Sequence, residues 1–238
     1  MRILDDLISS IKEDALVKGI YCCAHFTAVI SRDCGLASTL VPAHSHHQKV
    51  RGVGNLTGGS ALRLAEYAKS DNPLEASIGM ATINSLIEVD ESRCTTQNAF
   101  EILAQQGQGK RIAIVGHFPG TPRLRQVARE LWVLEQHPRP GDLPSEMAGE
   151  ILPQADVVGI SGTTLTNHTL ETLLELSRGK FIVLIGPTSP LSPVLFDHGI
   201  SVVGGVKVVD PEKVIRTISE GATYPQIQGL RKLCLIRD

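Results

Sequence analysis

The sequence predicts an α/β protein in which a smaller α+β part precedes a parallel sheet covered by helices. In the second half, short apolar runs typical of buried parallel strands alternate with amphipathic segments typical of helices. In the first half, strand-like runs are followed by consecutive helical segments, which is the pattern of a separate α+β unit. The chain of 238 residues is long enough for both parts to bury a core.

The first part spans residues 1–91 and begins with an amphipathic helix, "MRILDDLISSIKED", whose isoleucines and leucines share one face. Residues 16–33 contain two strand-like runs. The segments "GGSALRLAEYA" and "NPLEASIGMATINSLIE" then have helical periodicity. Residues 92–108 form the connection to the second part, and the stretch 99–105 within them has helical character.

The second part spans residues 109–238 and carries the regular alternation. Thr121 is placed as an N-cap before Pro122, and Asp210 stands in the same position before Pro211. The segment "SVVGGVKVVD" reads as a final strand pair or a bulged strand. Four apolar runs predict parallel strands: "KRIAIVG" (110–116), "LWVLE" (131–135), "DVVGIS" (156–161) and "FIVLIG" (181–186).

Composition excludes several classes of partner. The formal net charge is -2 with signs mixed along the chain, and only 4% of residues are aromatic, so neither a phosphate-backbone stripe nor a base-stacking platform is predicted. The apolar runs are far shorter than the roughly 18 residues of a membrane-spanning helix. We therefore expect no nucleic-acid partner and no membrane association, and a homo-oligomer stays an open alternative.

The cysteines indicate the compartment. There are five, an odd number without CxxC spacing, which is typical of reduced thiols. The amino terminus lacks the uninterrupted apolar stretch of a signal peptide. We expect a cytoplasmic protein.

Small and hydroxyl residues follow three of the predicted strands. The turns are "GHFPGT", "SGTTLTNH" and "GPTSPLSP". The carboxyl ends of parallel strands meet at one edge of a sheet, where backbone N–H groups and hydroxyls can hold a polar or anionic ligand. The alternative is that the Ser and Thr residues only cap helices.

A dinucleotide site is weakly supported. Gly116 and Gly120 do not have the G-x-G-x-x-G spacing. Glu135 stands about 20 residues further on, at the end of the next strand, where a ribose-binding acid would lie. Its other interpretation is a solvated edge acid or a salt-bridge partner.

Histidines mark two further places. The "HSHH" sequence brings together His44, His46 and His47, which suit zinc, nickel or copper, but no spacing identifies further ligands, so we expect a mobile surface loop without a bound metal. His117 and His168 fall in the turns at the strand ends, where each can transfer protons, cap a helix or pack.

Four segments of the chain resemble a known family when taken in order. They are "NPLEASIGMATIN", "IVGHFPG", "ILPQADVVGISGTTLTNHTLE" and "IGPTSPLSPVLFDHGISVVGG". The chain is similar along nearly its whole length to the heavy-metal-chelation family. The resemblance implies an N-terminal domain similar to the enolase N-terminal fold, a Rossmann-like C-terminal domain, and a site in the cleft between them.

The resemblance also implies which residues face that cleft. Together with Glu135 from the strand-end argument, we expect the ligand-binding residues to be Glu75, Asn84, Gly116, Phe118, Pro119, Glu135, Thr163, Asn167, Gly186, Pro187, Thr188 and Pro190. Apart from two carboxylates, these are small, amide, hydroxyl or apolar residues, which suit a polar anion or a hydrated cation better than a soft metal. No catalytic residue or direct metal ligand is assigned.

Three functions remain open from the sequence. The protein binds a small polar ligand or a metal chelate in metal homeostasis, with a metal ion or chelate as its cofactor. Alternatively, it is an enzyme that acts on a nucleotide-like or other anionic molecule in the same cleft. A third alternative is a regulatory or scaffold protein whose cleft is vestigial.

Overall fold

The computed structural model describes residues 1–41 and 49–237. The "HSHH" sequence with His44, His46 and His47 lies outside the described residues. In the described ranges, no helix combines the length and the apolar character that crossing a membrane would need.

The first part of the chain is an α+β unit, as the sequence predicts. Its antiparallel sheet has the order β1-β2-β3, and the third strand was not recognised from the sequence. The elements are α1 (Arg2–Ser9), β1 (Gly19–Cys22), β2 (Phe26–Ile30), β3 (Cys34–Ser38), α2 (Ala61–Ala65), the 3₁₀ helix Glu66–Lys69, and α3 (Pro73–Leu86).

Helix α3 is the centre of this unit. Asn72 caps it, because its side-chain oxygen accepts hydrogen bonds from the N–H groups of Leu74 and Glu75 at 3.0 and 3.4 Å. The helix lies unusually close to its neighbours. A Cβ atom added at Gly79 would stand 1.9 Å from the backbone nitrogen of Ala68. Glycine at this position is therefore what lets the helix and the preceding 3₁₀ helix touch backbone to backbone.

We expect Gly79→Ala to lower the free energy of unfolding by about 3 kcal/mol or more, because a backbone atom cannot move aside for the added methyl group. The matched control is Gly149→Ala, where an added Cβ meets nothing within 4 Å. Alanine should there be neutral or stabilise the helix by up to about 1 kcal/mol. Urea denaturation of both variants measures the difference, and equal midpoints would contradict the packing argument.

The second part is a mostly parallel eight-stranded sheet with the order β4-β11-β10-β9-β8-β5-β6-β7. The strands are β4 (Cys94–Thr95), β5 (Arg111–Val115), β6 (Glu130–Glu135), β7 (Leu143–Pro144), β8 (Val157–Ser161), β9 (Phe181–Ile185), β10 (Val202–Val208) and β11 (Leu230–Ile236). The helices are α4 (Ala99–Gln106), α5 (Thr121–Val127), α6 (Ala148–Ile151), α7 (Thr163–Thr166), α8 (Leu170–Leu176), α9 (Val194–Asp197) and α10 (Pro211–Ser219), with short 3₁₀ helices between them.

The strand order contains a switch point between β5 and β8. From β5 the chain moves outward through β6 and β7, and it then returns to the other side of β5 as β8 before continuing through β9 and β10. An ion pair joins the amino ends of the two strands. The Asp156 carboxylate, just before β8, accepts hydrogen bonds from the backbone N–H and the guanidinium of Arg111, the first residue of β5. These hydrogen bonds lower the pKa of Asp156 to about 2.

Several boundaries differ from the prediction. The segment read as a final strand pair or a bulged strand is one strand, β10, which pairs in continuous register with its antiparallel partner β11. Thr121 is the first helical residue rather than the N-cap, which is Gly120, because the Thr121 hydroxyl donates back to the Phe118 carbonyl at 2.8 Å. Asp210 does cap α10, accepting from the Lys213 N–H at 3.1 Å.

The connecting residues 92–108 are part of the large sheet and its cover. Strand β4 pairs with β11, and α4 places Ile102 and Leu103 in one apolar cluster with Ile112 and Ile114 of β5. A second cluster joins residues of both parts of the chain, including Ala68 and Leu165. The two parts therefore share a core.

Because of this shared core, we expect a fragment of residues 109–238 to fold poorly, with a broad transition and a lower melting temperature than the whole chain. A fragment that starts at residue 92 keeps β4 and α4, so it should be the more stable of the two. Circular dichroism melting compares them. Cooperative unfolding of the shorter fragment at the melting temperature of the full chain would contradict the prediction.

Candidate functional site

A cleft of about 980 Å³ opens at the carboxyl ends of β5, β6, β8 and β9. The switch point lies beneath it, which is where ligands bind in open parallel sheets. The three small and hydroxyl-rich turns named from the sequence all line this cleft. Phe26 of β2 and Ser38 of β3 line it from the first part of the chain.

The turn after β5 starts at Gly116, whose φ of 109° is a conformation that favours glycine. The Gly116 N–H donates to the Leu134 carbonyl at 3.0 Å, which fixes the turn on the neighbouring strand β6. A Cβ at Gly116 would stand 2.9 Å from the Cβ of Ser161. The turns after β5 and β8 therefore touch, and Phe118 and Pro119 line the cleft beside them.

The turn after β8 is organised by hydroxyl groups. The hydroxyls of Ser161 and Thr163 lie 2.8 Å apart, and the Thr164 hydroxyl donates to the Ser161 carbonyl at 2.7 Å. Thr163 begins the short helix α7, which the sequence did not reveal. Ser161, Thr163 and Thr164 all line the cleft.

Asn167 lies between α7 and α8 and serves the local fold. Its side-chain oxygen accepts hydrogen bonds from the N–H and the hydroxyl of Thr169 at 3.2 and 2.7 Å, just before α8 begins. The residue is exposed and also lines the cleft. The N-cap of α8 is Thr169, so the Asn167 side chain supports the turn before that helix and does not cap it.

The turn after β9 joins the two parts of the chain. Gly186 has a φ of 129° and donates its N–H to the Gly204 carbonyl at 2.9 Å. The Thr188 hydroxyl oxygen, in a side chain that is almost fully buried, accepts a hydrogen bond from the Ser38 N–H at 2.9 Å. Gly186, Pro187 and Thr188 line the cleft.

Glu75 does not line the cleft, contrary to expectation. It is 2% exposed and accepts hydrogen bonds from the Arg51 backbone and guanidinium and from the Ser70 hydroxyl. Burial alone would raise the pKa of Glu75, but the hydrogen bonds from Arg51 and Ser70 lower it. The carboxylate is therefore satisfied within the first part of the chain, and Phe26 and Ser38 take the place expected for it.

Asn84 and Pro190 also lie outside the cleft lining. The Asn84 amide donates to the Leu36 carbonyl at 2.8 Å and approaches the carbonyls of Pro187 and Thr188 at 3.4 and 3.3 Å. Asn84 therefore contacts the turn after β9 from the first part of the chain, outside the cleft lining. Pro190 is buried one step beyond that turn.

An aromatic wall in the cleft was missed from the sequence. Phe100 of α4 meets Phe118 edge to face, with ring centroids 5.1 Å apart. Lys232 of β11 lies 5.0 Å from the ring centroid of Tyr224, and both residues line the cleft. Phe100 comes from the segment taken as a connection, Tyr224 from the 3₁₀ helix Tyr224–Gln226 and Lys232 from β11, so no strand-end argument could reach these three residues.

The ionisable residues of the cleft include two histidines in different surroundings. His168 has a φ of 61°, and its Nε2 lies 2.8 Å from the Ala68 carbonyl of the first part of the chain. His117 has its Nδ1 3.3 Å from the Asp142 carboxylate. Glu135, at the end of β6, lines the same cleft, and one of its oxygens accepts the Gln136 N–H at 3.1 Å.

Comparison with known proteins places the chain in a family. Residues 98–236 match the DUF364 family and residues 4–87 match the DUF4213 family, both described as "Putative heavy-metal chelation". The chain belongs to the DUF364 family. A DUF364 protein of unknown function from Desulfitobacterium hafniense has a crystal structure with a TM-score of 0.87 and 31% identity, covering 99% of this chain and 98% of that one.

Two further proteins are similar to the chain. A structure of unknown function from Pyrococcus horikoshii matches with a TM-score of 0.82 and 22% identity over 99% of this chain and 98% of that one, which shows the shared fold. An uncharacterised protein of Methanocaldococcus jannaschii is 29% identical over 210 residues, which are 83% of this chain and 79% of that protein.

The DUF364 description implies a heavy metal, so the donors can be tested against one. In residues 1–41 and 49–237, no group of three or more His, Cys, Asp or Glu side chains could hold a metal ion. Cys234 lines the cleft, but burial raises its pKa to about 11 and disfavours the thiolate that a soft metal needs. The described side chains therefore do not fit a bare heavy-metal ion.

The hydrogen bond between Thr188 and Ser38 connects the turn after β9 with the first part of the chain, and its contribution to stability can be tested. We expect Thr188→Val to lower the free energy of unfolding by about 1–3 kcal/mol, because the Ser38 N–H loses its acceptor. The matched control is Thr166→Val. Among the described residues, the buried Thr166 hydroxyl has no hydrogen-bond partner, so its replacement should be neutral or stabilising. Equal losses of unfolding free energy in the two variants, measured by urea denaturation, would contradict a stabilising hydrogen bond between Thr188 and Ser38.

Proposed function

We propose that the cleft binds a small organic molecule, and that any heavy metal enters it as a chelate whose donors belong to that molecule. The size and position of the cleft support this proposal. A volume of about 980 Å³ at the switch point is far larger than one ion and lies within the range of small-molecule sites.

The lining supports a ligand with two kinds of surface. The turns after β5, β8 and β9 offer backbone groups and the hydroxyls of Ser161 and Thr163. Phe100 and Phe118 offer an apolar aromatic face. A molecule that combines a planar or apolar body with a polar or anionic group would use both, as small-molecule ligands usually do.

The second candidate function is an enzyme that acts on a nucleotide-like molecule. Glu135 favours it, because the residue lines the cleft at the end of β6, next to the strand whose turn starts at Gly116. An acid at this place binds ribose in dinucleotide sites of similar topology. The absent G-x-G-x-x-G spacing speaks against a dinucleotide itself.

Identification of the bound compound is the decisive experiment. Mass spectrometry and elemental analysis of the purified protein would reveal an organic molecule, with or without stoichiometric metal. In parallel, melting temperatures are measured with zinc, nickel, cobalt or molybdate alone and with nucleotides and pterins. A ligand at a hundredfold excess over its Kd should stabilise the protein by about 2.7 kcal/mol. The absence of any bound compound and any shift would favour a scaffold protein with a vestigial cleft.

Two substitutions at Asn167 separate its hydrogen bonds to Thr169 from ligand contact. Asn167→Ala should cost about 1 kcal/mol of stability, because the N–H and the hydroxyl of Thr169 lose their acceptor. Asn167→Asp keeps the accepting oxygen but replaces the amide donor with a negative charge. We expect it to retain stability and to weaken binding of an anionic compound that co-purifies. If both variants bind that compound like the parent protein, the turn is only a connection.

A further inference from the structure

His117 lines the cleft, and one of its ring nitrogens lies beside Asp142, a residue that does not line it. The residue follows Gly116 in the turn after β5, and its side chain is 33% exposed. Its Nδ1 lies 3.3 Å from Oδ2 of Asp142, a carboxylate that is only 6% exposed. Nε2, at the opposite edge of the ring, is therefore the nitrogen left for a ligand.

Asp142 is held in place independently of His117. Its Oδ2 accepts the Arg139 N–H at 3.0 Å, and its own N–H donates to the Arg139 carbonyl at 2.9 Å. The next residue, Leu143, pairs with Leu134 in the sheet. The carboxylate is thus fixed by a turn that is attached to β6, the neighbour of β5, and His117 lies in the turn after β5.

This arrangement selects the form of the imidazole. A carboxylate beside Nδ1 favours the tautomer that carries its proton there, which leaves Nε2 as a proton acceptor. The other cleft histidine among the described residues has a different position, because Nε2 of His168 lies against the Ala68 carbonyl. That contact makes Nε2 of His168 a hydrogen-bond donor, so its acceptor nitrogen is Nδ1, whereas the acceptor of His117 is Nε2.

The same turn supplies a surface for a ring. Phe118 follows His117 directly, lines the cleft, and is supported edge to face by Phe100. Aromatic side chains prefer offset or edge-to-face contacts with other rings. A ligand ring that contacts Phe118 would bring a substituent near the neighbouring imidazole.

We propose that His117 is the proton acceptor of the cleft, that Asp142 positions it, and that the ligand is an aromatic or heteroaromatic compound with an ionisable O–H or N–H group. The inference rests on the proposed small-molecule site. In the transfer, the O–H or N–H bond of the ligand breaks, a bond forms between Nε2 and the proton, and the electron pair stays on the ligand. Asp142 takes no proton and faces the resulting imidazolium.

Other charged groups line the same cleft from several elements. Glu135 projects from the end of β6, Glu146 from the 3₁₀ helix Ser145–Met147, and Lys232 from β11. The two carboxylates oppose the binding of an anion, whereas Lys232 favours it. A test at His117 therefore needs variants that leave these three groups unchanged.

The first experiment measures the tautomer without any ligand. Two-bond proton–nitrogen correlation spectra are recorded on the full chain labelled at histidine, at a pH where the ring is neutral, and His117→Gln assigns the resonance. We expect the form with the proton on Nδ1 in the parent protein and a shift toward the other form in Asp142→Asn. A parent protein with the proton mainly on Nε2 of His117 would overturn the proposed arrangement.

The second experiment uses p-nitrophenol, an aromatic ring whose ionised form alone absorbs visible light. Titration in slightly acidic buffer should give coloured, bound phenolate with the parent protein. His117→Gln should weaken this binding about tenfold or more, because a charge-assisted hydrogen bond is lost. His137→Gln is the control, since His137 is exposed and does not line the cleft.

The outcomes distinguish the proposed function from this inference. Equal phenolate binding by the parent protein and His117→Gln overturns the role of His117. A parent protein that binds no phenolate overturns the ligand class, even when a co-purified compound supports the small-molecule site. Asp142→Asn should reduce phenolate binding while its melting temperature stays near that of the parent protein, which a purely structural role would not produce.

Discussion

The parallel pairing of β5 with β8 is the constraint on which the cleft depends. The two strands run side by side from Ile112 and Val157 onward, and the Arg111 and Asp156 pair holds their amino ends together. Because the chain leaves this pair in opposite directions, toward β6 from one strand and toward β9 from the other, the turns that follow the two strands touch at Gly116 and Ser161 and diverge beyond that contact. The opening between them cannot be filled by a crossover helix from either side. The polar turns are therefore exposed to a ligand by topology, before any side chain is considered.

The first part of the chain completes the cleft through neutral hydrogen bonds rather than through charge. The Ser38 N–H donates to the Thr188 hydroxyl, and the Asn84 amide approaches the carbonyls of Pro187 and Thr188. These contacts hold the turn after β9 in place against the first part of the chain. Glu75 has a different role, because its carboxylate binds Arg51 and links that residue to the start of α3. A buried carboxylate that accepts several hydrogen bonds stabilises the residues that donate them. Because the Glu75 carboxylate is buried, it has no exposed oxygen with which to contact a ligand.

The strand-end turns could be predicted because the signal is local. A short apolar run followed by glycine and hydroxyl residues identifies both the strand and the edge at which it ends, as for Gly116 and Thr163. What was missed depends on contacts between distant segments. Arg51 is 24 positions from Glu75, so no short-range pattern in the sequence indicates that the two residues form an ion pair. Strand β11 was missed because Arg231 and Lys232 interrupt its apolar pattern. Consequently Lys232 did not enter the expected site, and neither did Tyr224 in the 3₁₀ helix that precedes this strand.

Strand β7 is short, and this has a consequence for how steadily the cleft keeps its geometry. It contributes Leu143 and Pro144 at the outer edge of the sheet, directly after Asp142. Edge segments with few hydrogen bonds open locally at much lower free energy than central strands. Each such opening would withdraw Asp142 from His117 while β5 and β8 stay paired. The lifetime of the contact between the imidazole and the carboxylate is then set by local fluctuations of this edge, on a timescale separate from that of global unfolding.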